Sequence, residues 1–200
     1  MKKILLIAAI LFAGLAADAK SGFGLKAGLN FSNMEELSAG SYTGYQAGLA
    51  FNLDLPLGFS IQPALAYSVK GANFGVENIK TMDLSVGYLE LMASLQWGID
   101  LLVLRPFLDV SPFVGYGING GGDLKELWKS EGMNKLEYGL GLGAGLDIWR
   151  FQVVCRYNWN FGGLMKANEM VDDGLGALDA YKTLKNANFG GVTLSLAYFF

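Results

Sequence analysis

Leu136-Glu137-Tyr138-Gly139-Leu140-Gly141-Leu142-Gly143-Ala144-Gly145-Leu146-Asp147-Ile148 alternates without a break. Leu136, Tyr138, Leu140, Leu142, Ala144, Leu146 and Ile148 share one parity; Glu137, Asp147 and four glycines share the other. A period of two puts successive side chains on opposite faces of a β-strand. One face of this strand is therefore wholly apolar. The other is small or acidic, which does not describe the solvent face of an ordinary sheet.

The same alternation recurs outward from this segment. Gly22 to Ser32 sets Phe23, Leu25, Ala27, Leu29 and Phe31 against Gly24, Lys26, Gly28, Asn30 and Ser32. Comparable segments run over 45–54, 59–70, 88–97, 108–119, 152–161 and 191–200. Leu84 and Val86 share parity with Glu90, a phase break that a β-bulge near Gly87 would repair. Eight segments of about ten residues match the length of a tilted membrane strand. The connections around Pro56, at 99–104 and at Trp149-Arg150 are short, and the four between them are longer. Short turns at one end and long loops at the other predict an all-β fold, an eight-stranded antiparallel transmembrane up-and-down β-barrel.

The two faces decide which kind of barrel. A soluble barrel would turn its apolar residues inward around a ligand. Here the apolar face is large and aromatic, with Tyr45, Tyr67, Trp97, Trp149, Tyr157, Trp159 and Tyr198 often near strand ends. A Lys or Arg at the bilayer midplane on that face would cost about 2–4 kcal/mol. The charged parity therefore faces the lumen and comprises Lys26, Asp54, Lys70, Glu90, Asp109, Glu137, Asp147 and Arg156. Buried together, these groups must pair or be hydrated. They are expected to form a polar plug, with Arg156 bridging at least one of Glu90, Asp109 and Asp147.

Met1-Lys2-Lys3, the apolar run Ile4 to Ala17 and Ala17-Asp18-Ala19 read as a secretory signal peptide over 1–19, leaving the barrel at 20–200. Loss of Lys2, Lys3 and Asp18 leaves 13 basic and 17 acidic residues, which offers no electrostatic footprint for nucleic acid. The chain has 200 residues, no His and one Cys. That excludes a Ser-His-Asp triad, a histidine-ligated metal and an intramolecular disulfide. No cofactor, metal site or enzymatic role is expected. Gly115-Tyr116-Gly117-Ile118-Asn119-Gly120 matches G-x-G-x-x-G but lies inside a strand, so it reads as small lumen residues. Cys155 is a small apolar filler on the lipid-facing parity. Glu169, Asp172, Asp173 and Asp179 form a solvated acidic loop, and Asp123 to Lys129 has the capping pattern of a short helix.

Leu194-Ser195-Leu196-Ala197-Tyr198-Phe199-Phe200 is similar to the terminal signal of outer-membrane barrels. Gly24 to Ser32 resembles the first strand of the porin family, the PorT-like outer-membrane β-barrel proteins of Bacteroidota, small barrels of the OmpA/OmpX kind. Ile61 to Gly71 resembles their third strand, with Ala64 where that family usually carries Glu. Tyr88-Leu89-Glu90-Leu91 resembles their Tyr-x-Glu-Ile-Pro, with Met92 in place of Pro. The resemblance implies a bacterial outer-membrane location and assembly by the barrel assembly machinery, which reads Tyr198 and Phe200. Outer-membrane lipid and lipopolysaccharide are the expected surroundings. The expected role is structural or interactive, through loops at the cell surface; the alternative is a small porin-like channel for ions or small solutes.

Overall fold

The computed structural model describes residues 22–33, 40–76, 79–122, 135–162 and 190–200. The signal segment, the Asp123–Lys129 stretch and the acidic loop of Glu169 to Asp179 lie outside the described residues. Eight strands form a closed barrel in sequence order: β1 Gly22–Asn33, β2 Gly40–Asp54, β3 Phe59–Val76, β4 Ile79–Gly98, β5 Leu104–Gly122, β6 Leu136–Ile148, β7 Phe151–Asn160 and β8 Gly190–Phe199. Every neighbouring pair is antiparallel, and β1 closes on β8 from Gly24↔Phe199 to Asn33↔Gly190. Closure removes the unpaired strand edges that could not be satisfied in lipid. Among the described residues no helix is long and apolar enough to cross a membrane.

The alternation sorts side chains as the two-residue period requires. Leu25, Leu49, Leu65, Leu91, Leu142 and Leu194 are exposed on the outer wall. Lys26, Gln62, Lys70, Glu90, Gln96, Asp109, Glu137 and Arg156 are buried inside. The charged and amide groups are thus packed inside, with some apolar side chains such as Met92, Phe107 and Phe113 among them, while most of the large apolar side chains form the surface. That inversion is stable only where the surrounding medium is hydrocarbon.

Two features depart from the sequence reading. First, β3, β4 and β5 have 18, 20 and 19 residues, whereas β7 and β8 have 10 each. About 9–11 residues suffice to cross a bilayer, so these strands continue past it at the long-loop end. The expected long connection after the third strand is instead a hairpin, with Val76 opposite Ile79. Second, the register shift near Gly87 exists, but the extra residue is Ile118 on β5, between the pairs Gly87↔Asn119 and Tyr88↔Gly117. The phase of β4 is unbroken, and Val86 is buried inside with Ala72 and Tyr88. Val86 pairs with inward-facing Lys70 and shares the phase of Tyr88 and Glu90, so β4 needs no repair. The bulge turns Asn119 outward, where its Oδ1 accepts from the Tyr67 hydroxyl at 3.1 Å. A Cβ on Gly87 would collide with both groups, so glycine leaves room for that bond.

The three short turns lie together at the end that also holds Phe23 and Phe200. Leu57, Leu102 and Trp149 each adopt positive φ (66°, 44° and 58°). For non-glycine residues this region costs about 1–2 kcal/mol.

Candidate functional site: the polar lumen

The lumen holds two ion-paired centres and a hydrogen-bonded chain at the short-turn mouth. In the first centre, Lys70 on β3 reaches two carboxylates on different strands. Its Nζ lies 2.7 Å from Glu90 Oε2 on β4 and 3.0 Å from Glu137 Oε1 on β6. Asn160 Nδ2 donates to the other Glu137 oxygen at 2.8 Å. The ammonium also sits 4.5 Å from the centroid of the Phe113 ring, close enough for a cation–π contact. Gly115 opposes Glu137 across the strand pair, and a Cβ there would come 2.6 Å from Glu137 Oε1. The small residue is what lets the carboxylate lie flat against the wall and meet Lys70.

In the second centre, Arg156 on β7 spans the lumen to Asp109 on β5. Its Nε donates to Asp109 Oδ1 at 2.6 Å and its Nη2 to Ser94 Oγ at 3.2 Å. Ser111 Oγ donates to the same Asp109 oxygen at 2.7 Å. The partner of Arg156 is therefore Asp109; Glu90 is held by Lys70 and Asp147 by Arg105. Met92 Sδ accepts from Arg156 Nη1 at 3.0 Å and from Lys26 Nζ at 3.6 Å. Lys26 is buried, and among the described residues it has no carboxylate within ion-pair distance.

Toward the short turns the network continues through neutral groups to a third ion pair, Arg105 with Asp147. Gln96 Nε2 donates to Gln62 Oε1 at 2.9 Å, and Ser60 Oγ donates to Gln96 Oε1 at 3.1 Å. Gln152 Nε2 donates to Asp147 Oδ1 at 2.9 Å. Arg105 closes the mouth, with Nη1 2.9 Å from Asp147 Oδ2 and Nη2 2.8 Å from the Gly58 carbonyl. Asp54 is half-buried and accepts from Asn52 Nδ2 at 2.7 Å, but it forms no ion pair among the described residues. The sequence reading missed Arg105 because it began the fifth strand at Leu108. The available signal was parity, since Arg105 and Phe107 share the inward phase of Asp109.

At the loop end a void of about 10 Å³, lined in part by Asn30, Ser32, Lys70, Asn158 and Thr193, has room for about one water. Asn30 Nδ2 donates to Ser68 Oγ at 3.0 Å, and Thr193 Oγ1 donates to Asn30 Oδ1 at 3.0 Å. Among the described residues no group of three or more acidic or cysteine side chains could hold a metal ion. Lys70, Glu90, Glu137, Arg156 and Asp109 are committed to one another, an arrangement suited to filling the barrel. Tyr198 and Phe200 stand apart at the closing seam. Tyr198 packs 5.0 Å from Phe151 and 5.5 Å from Phe200, centroid to centroid, and Phe200 N donates to the Phe23 carbonyl at 2.9 Å.

Among solved structures, the chain is similar to Neisserial surface protein A at 14% identity and a TM-score of 0.52, covering 90% of this chain and 97% of that one. It is also similar to outer membrane protein W of E. coli, at 16% identity, a TM-score of 0.46 and coverage of 92% and 100%. The attachment invasion locus protein of Yersinia pestis has 12% identity, a TM-score of 0.39 and coverage of 91% and 99%. No curated protein matches. The family described as "Outer membrane protein beta-barrel domain" matches residues 13–166. A closed eight-stranded wall that is apolar outside and ion-paired inside agrees with that match, and the chain belongs to the outer-membrane β-barrel domain family, a protein of the bacterial outer membrane.

Proposed function

We propose that this barrel is a non-enzymatic membrane anchor with a side-chain-plugged lumen, which presents its long loops at the cell surface to a structural or binding partner. The observation that carries the reading is the pair of cross-barrel ion centres, Lys70 with Glu90 and Glu137, and Arg156 with Asp109. An eight-stranded barrel has an interior about wide enough for side chains alone, and here those side chains bond to each other across it. The long β3–β5 strands support the same reading, because they exceed the length a bilayer crossing needs. The chain would be a PorT-like member of the family, with a signal peptide at 1–19 and a barrel domain at 20–200. Outer-membrane lipid and lipopolysaccharide would surround the wall and outer rim.

Single-channel recording in planar bilayers tests the plug. No resolved step of pore size is expected. A regular step would favour the second reading, a small channel for ions or small solutes. Pull-down of the intact protein from native outer membranes would then name the loop partner. Recognition by the barrel assembly machinery is tested separately. Deleting Phe200 should lower insertion yield in cells while leaving refolding into detergent near wild type. Unchanged yield in cells would remove the assembly role of Tyr198 and Phe200.

A further inference from the structure

The short turns are the part of the barrel whose chemistry fits its conventional surroundings least. In outer-membrane barrels such turns face the periplasm, and tight hairpins with positive φ normally use Gly, Asn or Asp. Here Leu57, Leu102 and Trp149 each occupy a positive-φ position, one from each turn, with Gly58 beside Leu57 in the first. They are also among the most exposed large side chains, at 87%, 109% and 80%. A left-handed backbone that glycine would adopt without strain is thus occupied three times by a bulky apolar residue pointing away from the protein. Non-glycine residues held in such conformations cluster at functional sites.

From these turns we propose that the short-turn end of the barrel is seated in the phospholipid leaflet, with Leu57, Leu102 and Trp149 inserted at the headgroup–acyl boundary. Three observations favour lipid over a protein partner. The turns are spread around the mouth and do not line one groove. Their apolar surface runs without interruption into the lipid-facing wall through Phe59, Leu104, Ile148 and Phe151, all exposed. Trp149 carries the Arg150 guanidinium 5.7 Å from its ring, which pairs an interfacial aromatic with a cation able to meet a lipid phosphate. The inward-facing cation of this mouth is already satisfied by the protein. Arg105 spends its donors on Asp147, the Gly58 carbonyl and Ser60 Oγ, and the exposed Asp100 lies 3.9 Å from Arg105 Nε.

The test uses the full barrel in phosphatidylethanolamine–phosphatidylglycerol vesicles. In a Cys155→Ala background, single cysteines replacing Leu57, Leu102 or Trp149 carry a nitroxide, and power saturation compares collisions with oxygen and with a water-soluble nickel chelate. Oxygen should dominate at all three sites. Nickel-dominated collisions in vesicles would overturn the proposal. If the same labels became shielded only in native outer membranes, a protein would be the occupant and the lipid assignment would fail. A second measurement leaves the turns untouched. With Trp97, Trp128 and Trp159 replaced by Phe, Trp149 fluorescence should be quenched by lipids brominated near the headgroup and not by iodide. Quenching by iodide alone would overturn the proposal even if the cysteine variants failed to fold.

Discussion

Arg156→Leu is expected to destabilise the barrel by about 3–5 kcal/mol, the cost of stranding a buried charge. Asp109 is fully buried, and among the described residues its only ionic contact is Arg156 Nε at 2.6 Å. After the substitution it keeps Ser111 Oγ and a long contact from Gln96 Nε2 at 3.5 Å, both neutral. Met92 Sδ and Ser94 Oγ lose a donor in the same step. Urea unfolding of the vesicle-inserted protein, read by tryptophan fluorescence and by heat-modifiable gel migration, measures the loss. Adding Asp109→Asn to Arg156→Leu should recover most of it, because the penalty belongs to the unpaired carboxylate more than to the missing ion pair. A single variant as stable as wild type would mean that water reaches Asp109, and the plugged lumen would be wrong.

Lys70→Met should cost a similar amount, about 3–5 kcal/mol, by a related mechanism. Lys70 separates Glu90 from Glu137, and both oxygens it touches lie within 3.0 Å of Nζ. Without the ammonium two buried carboxylates face each other across the lumen. Replacing both acids by Gln in the Lys70→Met background should restore stability. Lys26 provides the control. It is equally buried, but among the described residues its ammonium bonds to the Met92 thioether alone, so Lys26→Met strands no directly bonded acid. Its effect in the same urea titration should be a small fraction of that of Lys70→Met. Equal losses from the two lysines would show that net lumen charge, and not the Lys70 bridge, sets stability.

The wall was the legible part. Strands β1, β6 and β7 could be read residue by residue, because a period of two survives without knowledge of any neighbour. The short turns were legible for the same local reason, since Pro56-Leu57-Gly58 and Trp149-Arg150 interrupt the alternation. Inward parity could also be assigned to Lys70, Glu90, Asp109, Glu137 and Arg156 without coordinates, because charge on the lipid side is prohibitive. Less legible were the ends of strands. Residues 71–76 and 79–87 lie outside the clean alternation in sequence, yet they extend β3 and β4, and Arg105 sits on β5 ahead of Leu108, where the clean alternation begins.

Sequence alone determined that this chain is a membrane barrel with its charges inside, since alternation and the cost of a charge in lipid are properties of single residues and a medium. It could not determine who pairs with whom. Arg156 could have met Glu90, Asp109 or Asp147, and the tertiary structure chose Asp109, leaving Glu90 to Lys70 and Asp147 to Arg105. The bulge at Ile118, which turns Asn119 outward and keeps Val86 inside, was decided at the same level. The reason is geometric: depth and facing across a closed barrel follow from the register of every strand pair. That register is fixed only when all eight strands close on one another, with β1 on β8.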